Sequence, residues 1–290
     1  MINYNPKEWF TFIFRIHRGD TVRQLTPMLI SLSVYVALIA FLELEVFKLG
    51  ENSHLKNITI LHGMLGFVIS LLLVFRTNTA YDRWWEGRRM WGTLTNNSRN
   101  FAMKINALLS SSDTKHRQFF NDMLVEYAFA LKRHLRGHQN NSEVFASTIA
   151  VEHDVHKPNH IAKLIFARLN QLYENKTITG TQLLLLNEEF KTLTEVCGAC
   201  ERIKNTPIPF SYSVFIKKFI FFYVMTLPFG YVFSLGYIAV PIVVFVFYVL
   251  ASLELIAEEI ENPFGVDNND LPVTQMCKNI QKHVGEILSL

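Results

Sequence analysis

Charge is scarce in this sequence, and in one place it disappears: residues 219–253 contain no Asp, Glu, Lys or Arg. Charged residues make up 18% of the 290, where an ordinary soluble domain carries about a quarter, which argues against a wholly soluble globule. Cysteine is nearly missing as well. Three Cys, an odd number without repeated spacing, speak against a disulfide framework and fit a reducing compartment. No Lys/Arg block is dense enough to suggest nucleic acid, and the net charge is only +3. There is no GxSxG, P-loop, GxGxxG or HExxH, so neither an enzyme nor a cofactor is expected. The first residues, MINYNPKEWFTFIFRIHRGD, lack the basic start, compact apolar stretch and small-residue cleavage site of a secretory signal. Convincing β alternation and internal repeats are absent too.

What is abundant is apolar and aromatic. Half of the chain is hydrophobic, 24 residues are Phe, and the mean hydropathy is +0.17, so part of the surface is expected to face lipid. Crossing the hydrocarbon layer takes about 20 mostly apolar residues. Leu25–Phe47 qualifies, with Glu43 and Glu45 near its far end, and Ile58–Phe75 follows after a short polar stretch. Phe210–Glu254 is too long for one crossing. Pro228, Gly230, Ser234 and Gly236 near its middle are hairpin punctuation, which splits it into Ser213–Phe229 and Leu235–Leu253.

Lys and Arg accumulate on the cytoplasmic flanks of spans. Arg15, Arg18 and Arg23 precede the first span; Arg76, Arg83, Arg88 and Arg89 follow the second; Arg202, Lys204, Lys217 and Lys218 flank the third. The two outer loops hold only Lys48 and Lys56. Both termini and the insert between the second and third spans are therefore expected in the cytoplasm, with the chain in the cell (inner) membrane. The insert shows apolar residues at helical spacing over residues 93–111 and 113–138, with Asp113 a plausible N-cap. Helices resume over 161–176 and 181–203. Residues 138–160 read as a loop, since Pro158 breaks any helix through it.

Three motifs stand in order along the chain: FRTNTAYDRWWEGRRMWG at 75–92, CGACERIKNTPIPFSYS at 197–213, and ENPFGVDNNDLP at 261–272. Together they resemble the bestrophin family over nearly the whole chain, and the first is closer to the bacterial branch than to the animal one. The resemblance implies an all-α membrane protein with four transmembrane helices per subunit and a helical cytoplasmic insert, assembled as a pentamer around a central pore. It divides the chain into a cytoplasmic segment 1–24, the first two spans at 25–76, a vestibule region at 77–212, the last two spans at 213–254 and a cytoplasmic tail at 255–290.

Gly63, Phe67, Leu71 and Phe75 recur every four residues and share one helical face. Spacing alone makes this an ordinary packing stripe; the resemblance implies that Phe67, Leu71 and Phe75 form the pore neck, three apolar rings able to gate by dewetting. Gly63 and Gly66 permit close helix approach. A second, cytoplasmic constriction maps by position to Thr181 and Leu185. Trp84, Trp85 and Trp91 suit a membrane interface, and Arg76, Asp82, Arg83 and Arg88 either snorkel or form an ion-pair network fixing the pore helix to the vestibule. In animal members an acidic loop after the fourth span binds calcium; Asn262, Asp267 and Asp270 match it here, with the acidic run diluted to DNND.

Two metal-like patterns read better as structure. Cys197 and Cys200 form a CxxC with no second pair to complete a zinc site, so two small buried residues on a helix are expected. His153, His156 and His160 lie in a polar segment broken by Pro158. Glu254, Glu258 and Glu259 are expected to be solvated or paired.

The resulting expectation is a passive ion channel, a homopentamer in the lipid bilayer whose partners are small inorganic ions. Likeness to the bacterial branch favours monovalent cations, with anions the alternative, while Phe ring edges at the neck would favour anions. The rival from another class is a non-conducting membrane scaffold or signalling protein. A transporter would call for inverted repeats and broken spans, and neither is seen.

Overall fold

The computed structural model describes residues 21–48, 58–137 and 155–288. The basic residues Arg15 and Arg18, the loop residue Lys56 and His153 lie outside them. Among the described residues every regular element is helical. They are α1 (Thr21–Phe41), α2 (Ile58–Leu108), α3 (Thr114–Arg136), α4 (Lys157–Glu174), α5 (Gly180–Asn205), α6 (Phe210–Leu235), α7 (Ala239–Glu261) and α8 (Val273–Leu288). Three stretches are long and apolar enough to cross a membrane: Thr21–Val46, Ile58–Leu108 and Phe210–Glu261.

The chain forms two compact units. The first contains α1, the first part of α2, and α6 with α7. The sequence directs its packing through apolar residues placed on facing stripes: Leu32 and Val36 of α1, Ile69 and Leu73 of α2, Ile216, Ile220, Val224 and Leu227 of α6, and Val243 and Leu250 of α7 form one buried cluster. Polar contacts set the directions. Thr59 Oγ1 donates to the Gly230 carbonyl at 3.1 Å, His62 Nε2 meets Thr226 Oγ1 at 3.0 Å, and the Tyr212 hydroxyl donates to the Leu72 carbonyl at 3.2 Å. As α2 ascends, its partners on α6 descend, so the two helices run antiparallel.

The long apolar segment breaks where the punctuation predicts, at one residue of it. α6 runs straight through Pro228 and Gly230 and ends at Leu235. The reversal falls on Gly236, at φ 56° and ψ −140°, a combination open essentially to glycine alone. A 3₁₀ turn, Gly236–Ile238, then leads into α7. Lys217 Nζ at 2.8 Å from Glu258 closes the open end of this helical hairpin. α1 ends in a π-helical turn, Leu42–Val46, that buries Glu43.

The second unit holds the rest of α2, with α3, α4, α5 and α8. Here the helical spacing read over 93–111 holds as far as Leu108, as the continuation of α2, which is one 51-residue helix. No Pro interrupts residues 58–108, so nothing forces a stop. Asp113 caps α3 as expected, accepting from the His116 N–H at 3.2 Å, and Gly137 at φ 72° ends it. The predicted loop 138–160 is too long at its far end. α4 begins at Lys157 with Pro158 in its first turn, where a missing N–H costs nothing. Thr179 and Gln182 form a capping box on α5. The core of this unit gathers Trp91, Phe101, Phe120, Tyr127, Leu131, Ile165, Leu186, Cys200 and Phe264. α8 joins it through Cys277, Ile280 and Val284, three and then four residues apart on one face.

Candidate functional site

α2 has two faces in the first unit. His62, Ile69, Leu73, Arg76 and Ala80 are buried, and their spacing of seven, four, three and four residues traces one stripe. Away from this stripe, Phe67, Leu71 and Phe75 are 71%, 45% and 56% exposed. The chain's own helices therefore cover the back of α2 and leave the stripe of Phe67, Leu71 and Phe75 uncovered. The intramolecular packing that spacing alone allowed for this stripe is not what the chain does with it. Of the two glycines, Gly66 meets a neighbour closely, since a Cβ there would stand 2.8 Å from the Tyr223 hydroxyl, while Gly63 faces open space.

One residue beyond the stripe, Arg76 is 1% exposed. Its Nη2 lies 2.7 Å from Glu261 Oε2 and its Nε 3.5 Å from Glu254 Oε2. The other Glu261 oxygen accepts the Ile208 backbone N–H at 2.7 Å. A guanidinium has five donors in a rigid fork, and here it ties the end of the exposed stripe to the last turns of α7 and, through Glu261, to the chain entering α6. Arg83 adds a bond from Nε to the Glu261 carbonyl at 3.1 Å. The ion-pair cluster is not the anticipated one: its anions, Glu254 and Glu261, come from α7, and its members all belong to the first unit. Asp82 and Arg88 are exposed and make no ion pair among the described residues. Glu254 and Glu258 are paired, and Glu259 accepts from Asn269 Nδ2 at 2.6 Å.

The tryptophans divide. Trp85 is exposed and Trp84 half-buried, whereas Trp91 is wholly buried in the core of the second unit. For Trp91 the interfacial expectation is corrected: it stands where Leu94 and Phe101 continue a buried face.

Thr181 and Leu185 are both exposed at the start of α5, beside an exposed Leu184. Just behind them Lys104 Nζ donates to the Leu185 carbonyl at 3.1 Å and pairs with Glu189 at 2.8 Å, and Asn97 also bonds Glu189. In the loop after α7, Asp270 is buried and Asp267 and Asn262 are exposed. Asp270 is seated so tightly against Gly265 that a Cβ there would stand 2.6 Å from its Oδ2. Among the described residues the one close group of three potential metal-ligating side chains is elsewhere, at His134, His156 and Glu201. Sequence reasoning singled out His156 but paired it by spacing with His153 and His160, and so missed His134 and Glu201.

Cys197 and Cys200 are buried and free, as two small residues in a helical core should be. Burial, reinforced by the charge of Glu201, pushes the Cys197 thiol up to about 12, and Cys200 is raised further, again chiefly by burial.

Known proteins of the same kind exist. The family model for bacterial/fungal bestrophin proteins matches residues 1–286. The voltage-dependent anion channel-forming protein alr2987 of Nostoc sp. is 36% identical, covering 98% of this chain and 93% of its own. The protein of the same description named YneE in Escherichia coli K12 is 29% identical over 97% of this chain and 92% of its own. Among solved structures, a point mutant of a bacterial bestrophin homologue from Klebsiella pneumoniae superposes with a TM-score of 0.76 at 26% identity, covering 91% of this chain and 100% of that one. On the match over residues 1–286 and the identity shared along nearly its whole length, this chain belongs to the bestrophin family.

Proposed function

We propose that the protein is a passive ion channel, a homopentamer of the inner membrane in which α1, the first part of α2, α6 and α7 are the four spans. The observation that carries this reading is the uncovered stripe of Phe67, Leu71 and Phe75, on a helix held from behind by α6 and by the buried Arg76 pairs. Five copies of such a stripe around an axis make a narrow apolar neck, which conducts when wetted and closes when dry. The second unit then forms the cytoplasmic vestibule, with both termini on the same side, and the exposed start of α5 at Thr181 and Leu185 lines its exit.

Anions are the permeating species this reading adopts. The names of the relatives from Nostoc and Escherichia coli describe anion channel-forming proteins, and Phe ring edges at 67 and 75 offer partial positive charge to them. Likeness to the bacterial branch supports the second reading, conduction of monovalent cations. Reversal potential under a salt gradient, with purified protein in planar bilayers, separates the two. A shift toward the chloride equilibrium potential supports anions and a shift toward the potassium potential supports cations. Phe67→Ala, Leu71→Ala and Phe75→Ala are expected to change the current in either case. Silence from well-folded wild type and variants alike would leave a non-conducting scaffold on the bestrophin fold.

A further inference from the structure

Two histidines and a glutamate from three separate elements meet in the second unit. His134 comes from the last turn of α3, His156 is the N-cap of α4, and Glu201 lies in the C-terminal part of α5. The Nε2 atoms of His134 and His156 stand 2.7 and 2.6 Å from the same oxygen, Glu201 Oε1. The two imidazole rings are 4.4 Å apart, centre to centre. All three ligand atoms lie within 4.8 Å of one another, and all three side chains keep partial contact with solvent. We propose that His134, His156 and Glu201 form a binding site for a divalent transition-metal ion of the zinc class, which joins the adjoining ends of α3, α4 and α5.

Nitrogen ligands with one carboxylate select this class of ion over calcium and magnesium, which want an all-oxygen shell. Three protein ligands leave a fourth tetrahedral position for water, and the partial exposure of the cluster gives an entry path. The carboxylate is ready as an anion. Burial works against its charge, but hydrogen bonds from His156 and His134 outweigh it and hold Glu201 below its ordinary value. His134 is braced from behind, since Lys204 Nζ donates to its carbonyl oxygen at 3.0 Å. His156 is braced by the cap, where the Asn159 N–H donates to its Nδ1 at 3.2 Å. That bond puts the His156 proton on Nε2, against Glu201. An ion at Nε2 takes the place of this proton, which moves to Nδ1, because the ligating imidazole stays neutral and keeps one proton. Binding thus exchanges a long capping bond for a coordinate bond, and the site is weaker than one whose outer nitrogen already donates to a carbonyl. The thiols of Cys197 and Cys200 are not part of this group and lie buried in the helical core.

The test uses the full-length protein in detergent, stripped with a chelator and titrated with Zn²⁺ by calorimetry. Co²⁺ serves as a spectroscopic probe of coordination number. The expected result is one ion per chain, a visible-band Co²⁺ spectrum of tetrahedral type, and a rise in thermal midpoint on binding. His134→Ala and Glu201→Gln should each weaken Zn²⁺ binding at least about ten-fold. His156→Asn keeps an N-capping acceptor while removing the imidazole, so its loss of binding is free of a folding defect. Helical content by circular dichroism accompanies each variant. Cys197→Ala/Cys200→Ala should bind as the wild type does. Failure of the wild type to bind one Zn²⁺ per chain overturns the proposal. So does binding that survives the His156→Asn and Glu201→Gln changes, or that disappears with the thiols. None of these readouts depends on whether the protein conducts.

Discussion

Arg76 is the residue on which most of the first unit's electrostatics rests. It is buried with Glu254 and Glu261 around it, and removing one member of a buried ion cluster leaves the others desolvated without compensation, at about 3–5 kcal/mol. Arg76→Met is therefore expected to lower the thermal midpoint of the detergent-solubilised protein sharply. The triple change Arg76→Met/Glu254→Leu/Glu261→Gln should recover much of the loss, because it removes the stranded charges as well. A triple variant no better than the single one would show that shape, and not charge, is what Arg76 contributes. The thiols make a second prediction at this scale. Burial pushes Cys197 and Cys277 up to about 12 from an ordinary 9.0. A raised thiol stays neutral in the folded state while the unfolded chain ionises, so its contribution is complete below the ordinary value and lost as pH rises toward the folded one. Thermal stability should be flat near neutrality and fall in alkali, each thiol accounting for about 1.4 kcal/mol per pH unit in that window. Cys197→Ala/Cys277→Ala should make the alkaline limb shallower, with Cys200 still contributing; an unchanged limb would exclude these two thiols as its source.

Elements show where the sequence could be read and where it could not. The apolar spans, the Asp113 cap and the break near Gly236 announce themselves because each depends on local chemistry: hydropathy, a capping side chain, a glycine. The length of α2 does not, since polar residues beyond Arg76 look like an exit from the membrane whether the helix continues or stops. Trp91 misled for a related reason. A tryptophan near a span reads as interfacial until the packing of Leu94 and Phe101 around it is known. The neck stripe could be named from the family motif, but its exposure could not, because exposure depends on which face α6 covers. His156 could be singled out from its neighbours in sequence, but His134 and Glu201 were beyond reach as its partners, being far away in the chain and joined to it only by the fold. The Gly236 reversal carries a prediction of its own. With φ 56° and ψ −140°, Gly236→Ala forces an L-residue into a region costing about 1–3 kcal/mol. The substitution should reduce thermal stability, whereas Gly198→Ala, in a helix with open space around its Cβ position, should not; equal behaviour of the two would remove the argument from backbone strain.

For the whole molecule, the question is what covers the apolar surface that one chain leaves bare. Ile60, Met64, Phe67, Leu71, Val74 and Phe75 of α2 are all exposed in the isolated subunit, as are Phe221, Phe222 and Phe245 elsewhere in the first unit. Lipid and neighbouring subunits both suffice for an apolar residue, so exposure by itself does not tell them apart. Water access does. If Phe67, Leu71 and Phe75 face a shared axis, a cysteine at any of them is wetted when the channel conducts; at Phe221 or Phe245, cysteine faces hydrocarbon or protein. The native thiols are buried and protonated, so they give a silent background for this measurement. A charged methanethiosulfonate reagent added to Phe67→Cys, Leu71→Cys or Phe75→Cys channels in a bilayer is expected to change the current several-fold within the recording. Phe221→Cys and Phe245→Cys should respond no more than wild type. The sign of the reagent carries further information: a cationic adduct raising chloride current, with an anionic one lowering it, would tie selectivity to charge at the neck. Equal reactivity of the two sets would mean that the α2 stripe has no special relation to the ion path, and the pore would have to be sought on another face of the subunit.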